Sequence, residues 1–304
     1  MKSLVFKVLT AVTLLITTGW AAFSQTRSFE HDLSPFESIE ATDGFKISII
    51  KDDTYSAKLT VDDALESYVQ CYVKASVLHV GLDSKAIPKD LKKQYRGRNS
   101  SEPTLVAVVR LPPLKSLTLS DDCQFVSSSE IAASDLAIKL DGTSSANNVK
   151  ITGKTFSLTV GKNAKFTNAS VVVEGDLGIL CDSKGIVTLE YKANNLKVTT
   201  AGSAEMDIRG DSEIKVFVDA SGSSKTTLSG TTRDFEVVGK GTTAKVDASA
   251  LETHSATITA TGISVDTKPS ENLELDLGKG AEVIFSGNPV INIIKILSAT
   301  VTRK

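Results

Sequence analysis

The chain is poor in the residues that most enzymes and many recognition modules use for chemistry. Its 304 residues include one tryptophan, three histidines and three cysteines, and only 6% are aromatic. Each scarcity excludes something. Trp20 falls in an N-terminal stretch read below as a leader, so the mature chain has no indole on which to stack a sugar; tyrosine platforms stay open. His31, His79 and His254 are scattered and form no pair with metal-ligand spacing. Surface or strand-filling roles are expected for them. Cys71, Cys123 and Cys181 are an odd number and cannot all pair within one chain. No short ligand pair joins them, so buried, inert thiols are expected rather than a disulfide framework or a metal site.

Charge of one sign is also missing. Lys and Arg number 34 against 36 Asp and Glu, and removing the leader with Lys2 and Lys7 gives 32 − 36 = −4. No basic stripe points to nucleic acid or to anionic lipid. No apolar run reaches the roughly 20 residues of a spanning helix. Met1 to Gln25 reads as a secretory signal: a basic start, an apolar run over Val8–Ile16, and the small-x-small site Ala22-Phe23-Ser24. A membrane anchor is the second reading of this stretch. No cysteine stands near the cleavage site for lipid attachment, and a soluble exported protein is expected, either periplasmic, outer-membrane-associated or extracellular.

What is present is a repeat. From Leu114 onward, short alternating strands recur about every 20 residues, with first-strand apolar anchors at Leu114, Leu136, Phe156, Leu177, Leu196, Ile214, Phe235, Ala256, Leu273 and Ile291. After each anchor comes a small-residue turn, such as Gly142-Thr-Ser-Ser, Ala201-Gly-Ser, Gly222-Ser-Ser, Gly239-Lys-Gly or Gly278-Lys-Gly, and then a second alternating strand. Such a unit is too short for a helical-repeat pair or a propeller blade. It fits a solenoid whose strands pair in parallel with those of the coils above and below. The fold class is therefore all-β: a right-handed parallel β-helix of about ten coils, the hand taken from the general preference of parallel crossovers. A two-sheet sandwich is the alternative, but its hairpins call for repeated type I′ pairs, and the stack holds no Asn-Gly and one Asp-Gly, Asp141-Gly142.

Residues 26–113 are less regular. Strands are expected at Phe36–Ile39, Phe45–Ile49, Ala57–Val61, Val77–Val80 and Leu105–Val108, a helix or strand over Asp63–Tyr72, and a loop over Ile87–Ser101 with a helical turn at Lys89–Gln94. This segment is read as a β-rich cap, since an open solenoid end exposes unpaired backbone and core side chains. It meets the stack, residues 114–304, at Leu111-Pro-Pro-Leu114, and 26–304 is read as one continuous unit.

No convergent chemistry emerges. Gly153-Lys-Thr155 resembles the end of a phosphate loop, but Asn148 stands where that motif needs glycine. Asp121, Asp122 and Asp182 lie near turns without the calcium nonapeptide pattern, so solvated turns are the better reading than Ca²⁺ sites. Cys123 and Cys181 fall three coils apart, about 14 Å, beyond disulfide reach. No catalytic, cofactor-binding or metal-ligating residue is assigned.

The ordered elements "FESIEATDGFKISI", "VLHVGL", "LPPLKSLTLS", the turns "GTSS", "AGSA" and "SGSS", and "FSGNPVINI" resemble the putative auto-transporter adhesin, head GIN domain family, exported Bacteroidota-type β-helix proteins, from about Phe36 to Val301. The resemblance implies a right-handed β-helix with an N-terminal β segment and an adhesin-like role at the cell envelope. It brings no catalytic residues. No amphipathic strands of a membrane barrel follow the last coil. The leading expectation is a non-enzymatic exported protein binding a surface glycan or protein. The alternatives are a carbohydrate-active enzyme using Asp90, Glu102, Asp121 and Asp122 near the Ile87–Ser101 loop, and a structural component of the envelope. The final coil, closing with "SATVTRK", leaves a pairing edge, so an end-to-end homo-oligomer is also expected.

Overall fold

A computed structural model describes residues 25–95, 102–127, 129–241 and 243–304. All but the last residue of the expected leader, and residues 96–101 of the expected loop, lie outside the described residues. In chain order the first part comprises β1 (Thr26–Asp32), β2 (Ser38–Ala41), β3 (Lys46–Lys51), β4 (Ser56–Asp62), a 3-10 turn (Asp63–Tyr68), β5 (Val69–Lys74), β6 (Val77–Leu82), α1 (Lys89–Gln94) and β7 (Leu105–Leu111). Both readings of Asp63–Tyr72 are realised, as a helical turn and then a strand. The helical turn at Lys89–Gln94 is present as α1.

The stack follows. It runs through β8 (Ser116–Leu119), β9 (Gln124–Phe125), β10 (Ile131–Leu140), β11 (Ser145–Asn147), β12 (Lys150–Val160), β13 (Lys165–Val173) and β14 (Asp176–Cys181). Longer strands then bend round the corners: β15 (Ile186–Thr200), β16 (Glu205–Gly222), β17 (Lys225–Gly241), β18 (Lys245–Thr261) and β19 (Ser264–Leu277). The last are β20 (Glu282–Phe285), β21 (Val290–Ile296) and β22 (Thr300–Arg303). The protein is a β-solenoid of about nine turns, in keeping with the expected ten coils.

Alternation dictates this shape. A strand sends successive side chains to opposite faces, so a period-two sequence puts one row into the coil and one into water. Parallel pairing then stacks like on like: Leu136 on Phe156, Phe156 on Leu177, Leu177 on Leu196, Leu196 on Val216, Val216 on Phe235, Phe235 on Ala256 and Ala256 on Leu273. These residues are all buried and form one wall of a continuous core.

Two anchors shift against the sequence reading. Val216, not Ile214, stands in the row, because a one-residue bulge between Ser212 and Lys215 lengthens that coil and leaves Ile214 exposed at the corner. At the first level Ser116 pairs with Ala137, which puts Lys115 opposite Leu136, although Leu114 itself is buried.

The turns stack as well. Gly142, Gly202, Gly222, Gly262 and Gly280 adopt left-handed backbone, and Asp121, Lys162 and Ser183 do so with side chains present. At Gly222 (φ 72°) a Cβ would lie 2.7 Å from the Gly202 carbonyl oxygen, so both conformation and space call for glycine. Gly239 differs from the turn reading: it lies within β17 opposite Ala220 and Ala260, and the Ile263 side chain fills the space beside it.

Parallel register extends to strands before Leu114. β2 pairs with both β8 and β6, and β3 with both β9 and β7, all in parallel. The segment before Leu114 thus supplies two coil levels, visited out of spatial order. Antiparallel strands then close the top, with β4 on β7, β1 on β4 and β5 on β6. Leu65, in the 3-10 turn, is buried in this closure.

Candidate functional site

The outward rows are mostly polar and bond from coil to coil. Thr155 Oγ1 donates to Asp135 Oδ1 at 2.7 Å, Asn195 Nδ2 to Asp176 Oδ1 at 2.8 Å, and Thr231 Oγ1 to Asp211 Oδ1 at 2.7 Å. Such exposed pairs tie neighbouring coils together but present no reactive group.

One corner departs from this pattern. Three small residues and one valine recur at the same corner of successive coils: Ala133 faces Gly153, which faces Val173, and Ala193 continues the line. With little side-chain volume along this line, the surface sinks into a groove of about 760 Å³ over β10, β12, β13 and β15. Its floor includes Ala132, Thr152 and Val172, the last an exposed apolar side chain. Lys154, Glu174, Lys192 and Glu213 line it at successive levels, so charge alternates along the solenoid axis. Gly153 sits where a Cβ would press on the Ala133 carbonyl, which accounts for the glycine of the phosphate-loop look-alike without any phosphate. The groove escaped the sequence reading. The 20-residue spacing of Ala133, Gly153, Val173 and Ala193 is the signal that could have revealed it.

The residues considered for chemistry do not converge. Asp90 projects from α1 and pairs with Lys93 at 3.2 Å. Asp121 holds a left-handed turn, and Asp122 accepts a hydrogen bond from Thr143 in the next coil. His79 lies 3.3 Å from Glu40 and stacks on Tyr72, ring centroids 5.1 Å apart. His31 meets Phe29 edge-on, and His254 borders a separate shallow depression near Glu252 and Lys268. Among the described residues no three His, Cys, Asp or Glu side chains are grouped so as to hold a metal ion.

The thiols are unpaired. Burial pushes Cys123 and Cys71 up to about 11 and Cys181 up to about 12, so none supplies a thiolate at neutral pH. Burial likewise pushes Tyr191 up to about 12, and its hydroxyl lies 3.1 Å from that of Ser212 inside the coil. At the turns, the Lys162 ammonium donates to Asp141 at 2.9 Å and holds that carboxyl below its ordinary value. The geometry offers a binding surface: an open, charge-alternating groove along a rigid column.

Comparison with curated proteins finds no match. Among solved structures, the chain is similar to a putative adhesin from Parabacteroides distasonis ATCC 8503, at 17% identity over 93% of this chain and 98% of that one, with a TM-score of 0.49. It is similar to a putative lipid binding protein from the same organism at 15% identity, 93% and 98% coverage and a TM-score of 0.48. A putative adhesin from Parabacteroides merdae ATCC 43184 shares 16% identity over 93% and 97%, with a TM-score of 0.49. No helix among the described residues is long and apolar enough to cross a membrane. A family model matches twice, over residues 35–179 and 173–289, and with most of its length so matched the chain belongs to the putative auto-transporter adhesin, head GIN domain family.

Proposed function

We propose that the protein is a non-enzymatic, exported envelope protein that holds an extended segment of a partner protein along the groove at Ala133–Ala193. The observation that carries this reading is that Lys154, Glu174, Lys192 and Glu213 alternate in sign from coil to coil around the row Ala132, Thr152 and Val172, which Lys192 continues. From the Ala133 level to the Glu213 level the groove spans four coil steps, roughly 19 Å, the reach of about six extended residues. Alternating charges select a segment of complementary pattern and fix its register, while the exposed Val172 supplies apolar contact. Membership of an adhesin family agrees with binding rather than turnover. Export rests on the leader-like Met1–Gln25 stretch.

The test presents the chain to arrays of envelope proteins and of surface glycans, with Val172→Arg as the groove variant and Lys165→Glu, exposed on β13 outside the groove, as the control. The expected result is protein binding that Val172→Arg lowers at least about tenfold, and Lys165→Glu leaves unchanged. Binding confined to glycans, or binding indifferent to Val172→Arg, overturns the reading.

A further inference from the structure

The terminal coil breaks the alternation rule. In β21, Ile291, Ile293 and Ile296 continue the inward rows of Leu273, Leu275 and Leu277, yet no further coil covers them among the described residues. Val290, opposite the outward Asn272, Ile294, in a bulge, and Leu297 stand exposed in the same terminal coil, and the six residues are 37% to 72% exposed. Elsewhere exposed large apolar side chains are scattered.

We propose that this end is a self-association surface, and that two copies of the chain meet there tail to tail. Three observations favour a second copy. The first is area: the six residues of the terminal coil together expose roughly 600 Å², so two such ends offer at most about 1,200 Å², the lower end of the range for a specific interface. The second is shape: an end lined with core-type side chains is complementary to the same end of another copy, which supplies the missing layer of core. The third is that head-to-tail stacking is blocked, because the opposite end is closed by β1, β4 and β5 and carries Arg27, Glu30 and Asp32 on its outer strand. Within β21 the one charge is Lys295, an outward position beside the isoleucines rather than among them. The bulge at Ile294 disfavours simple strand addition, so the contact is packing of side chains end on.

The experiment is sedimentation equilibrium of the chain from Gln25 to Lys304, with Ile293→Lys as the variant. Ile293 is exposed in the single chain, so the variant is expected to keep the far-UV spectrum and the dilute-solution melting curve of the parent. A dimer is expected for the parent, weakened at least about a hundredfold in the variant by like charges facing across the axis. Spin labels fix the geometry, in a Cys71→Ser background because Cys71 is the thiol not fully buried. Labels at Lys295→Cys are expected within about 40 Å of each other, and labels at Lys58→Cys, on β4, near 100 Å apart. A parent that stays monomeric at high concentration overturns the proposal. So does a dimer untouched by Ile293→Lys, a long Lys295 distance, or a monomer that instead sediments with phosphatidylglycerol vesicles through the same isoleucines.

Discussion

The two ends of the column solve one problem in opposite ways. Every solenoid must deal with a last layer whose inner row has core on one side only. At the N-terminal end the chain leaves the coil after β3, crosses the top as β4, the 3-10 turn and β5, and returns as β6, so antiparallel strands and Leu65 cover the inner row. The outer strand there is charged. Arg27 pairs with Asp63 and also with Glu66 at 3.3 Å, and Glu30 and Asp32 stand on the same edge, which discourages strand addition. At the C-terminal end the seven residues Val290–Ile296 contain one charge, and every one of them is exposed. Among the described residues, the difference separates an end whose inner row is covered from one whose inner row is exposed.

Stability should divide accordingly. Leu65→Ala, within the closure, is expected to lower unfolding free energy by about 2–5 kcal/mol, since it empties a buried site between fixed neighbours. Ile293→Ala at the open end is expected to change the dilute monomer by under about 1 kcal/mol, because its contacts are made on one side only. Urea unfolding of both variants at low concentration checks this. Equal losses would mean that the two ends do not differ in the way described.

How far these features were legible in the sequence follows from what a period can encode. Where each coil repeats at nearly constant length, period-two alternation and left-handed turn residues located the inward row from Leu136 to Leu273 with one slip. Ile214 and Val216 are two residues apart, so alternation alone would put both on one face and does not say which of them heads the strand; the bulge at Ser212–Lys215 decides it, turning Ile214 out. Parallel coils built from β2, β3, β6 and β7 escaped because the chain visits them out of order, with excursions between, and no constant spacing survives. The pattern marked Ile291 as one more anchor but carried no information on what lies beyond it. The groove went unseen because concavity comes from residues too small to produce a hydrophobic signal.

The turn column offers a finer probe of the same contrast. Gly222 and Gly280 share left-handed backbone, with φ of 72° and 74°. A Cβ on Gly222 meets the Gly202 carbonyl oxygen at 2.7 Å, whereas on Gly280 the nearest atom is the Gly262 Cα at 3.7 Å. Gly280→Ala therefore carries the backbone cost alone, about 1 kcal/mol, and Gly222→Ala adds a steric cost of about 1–2 kcal/mol. Thermal melts of the two variants should rank in that order. A larger loss at Gly280 would indicate that the coils near the open end pack as tightly as those in the middle.

The smallest expected effect is electrostatic and lies in the turn column nearer the closed end. Asp141 has its carboxyl lowered chiefly by the hydrogen bond from Lys162, reinforced by the Gly142 backbone, and opposed by partial burial. A carboxyl lowered in the folded state adds stability that is present above its ordinary range near pH 4 and is lost as pH falls through the folded value. The pair is solvent-exposed on the lysine side, so screening keeps its contribution small. Lys162→Gln removes the ammonium while keeping a side chain of similar length at the left-handed position (φ 52°). The variant should be slightly less stable than the parent at pH 7, and the gap should narrow as pH falls through the lowered folded value of Asp141. A gap that persists in acid would assign the loss to the turn backbone rather than to the ion pair, and the contribution of Lys162 to this corner would then be conformational.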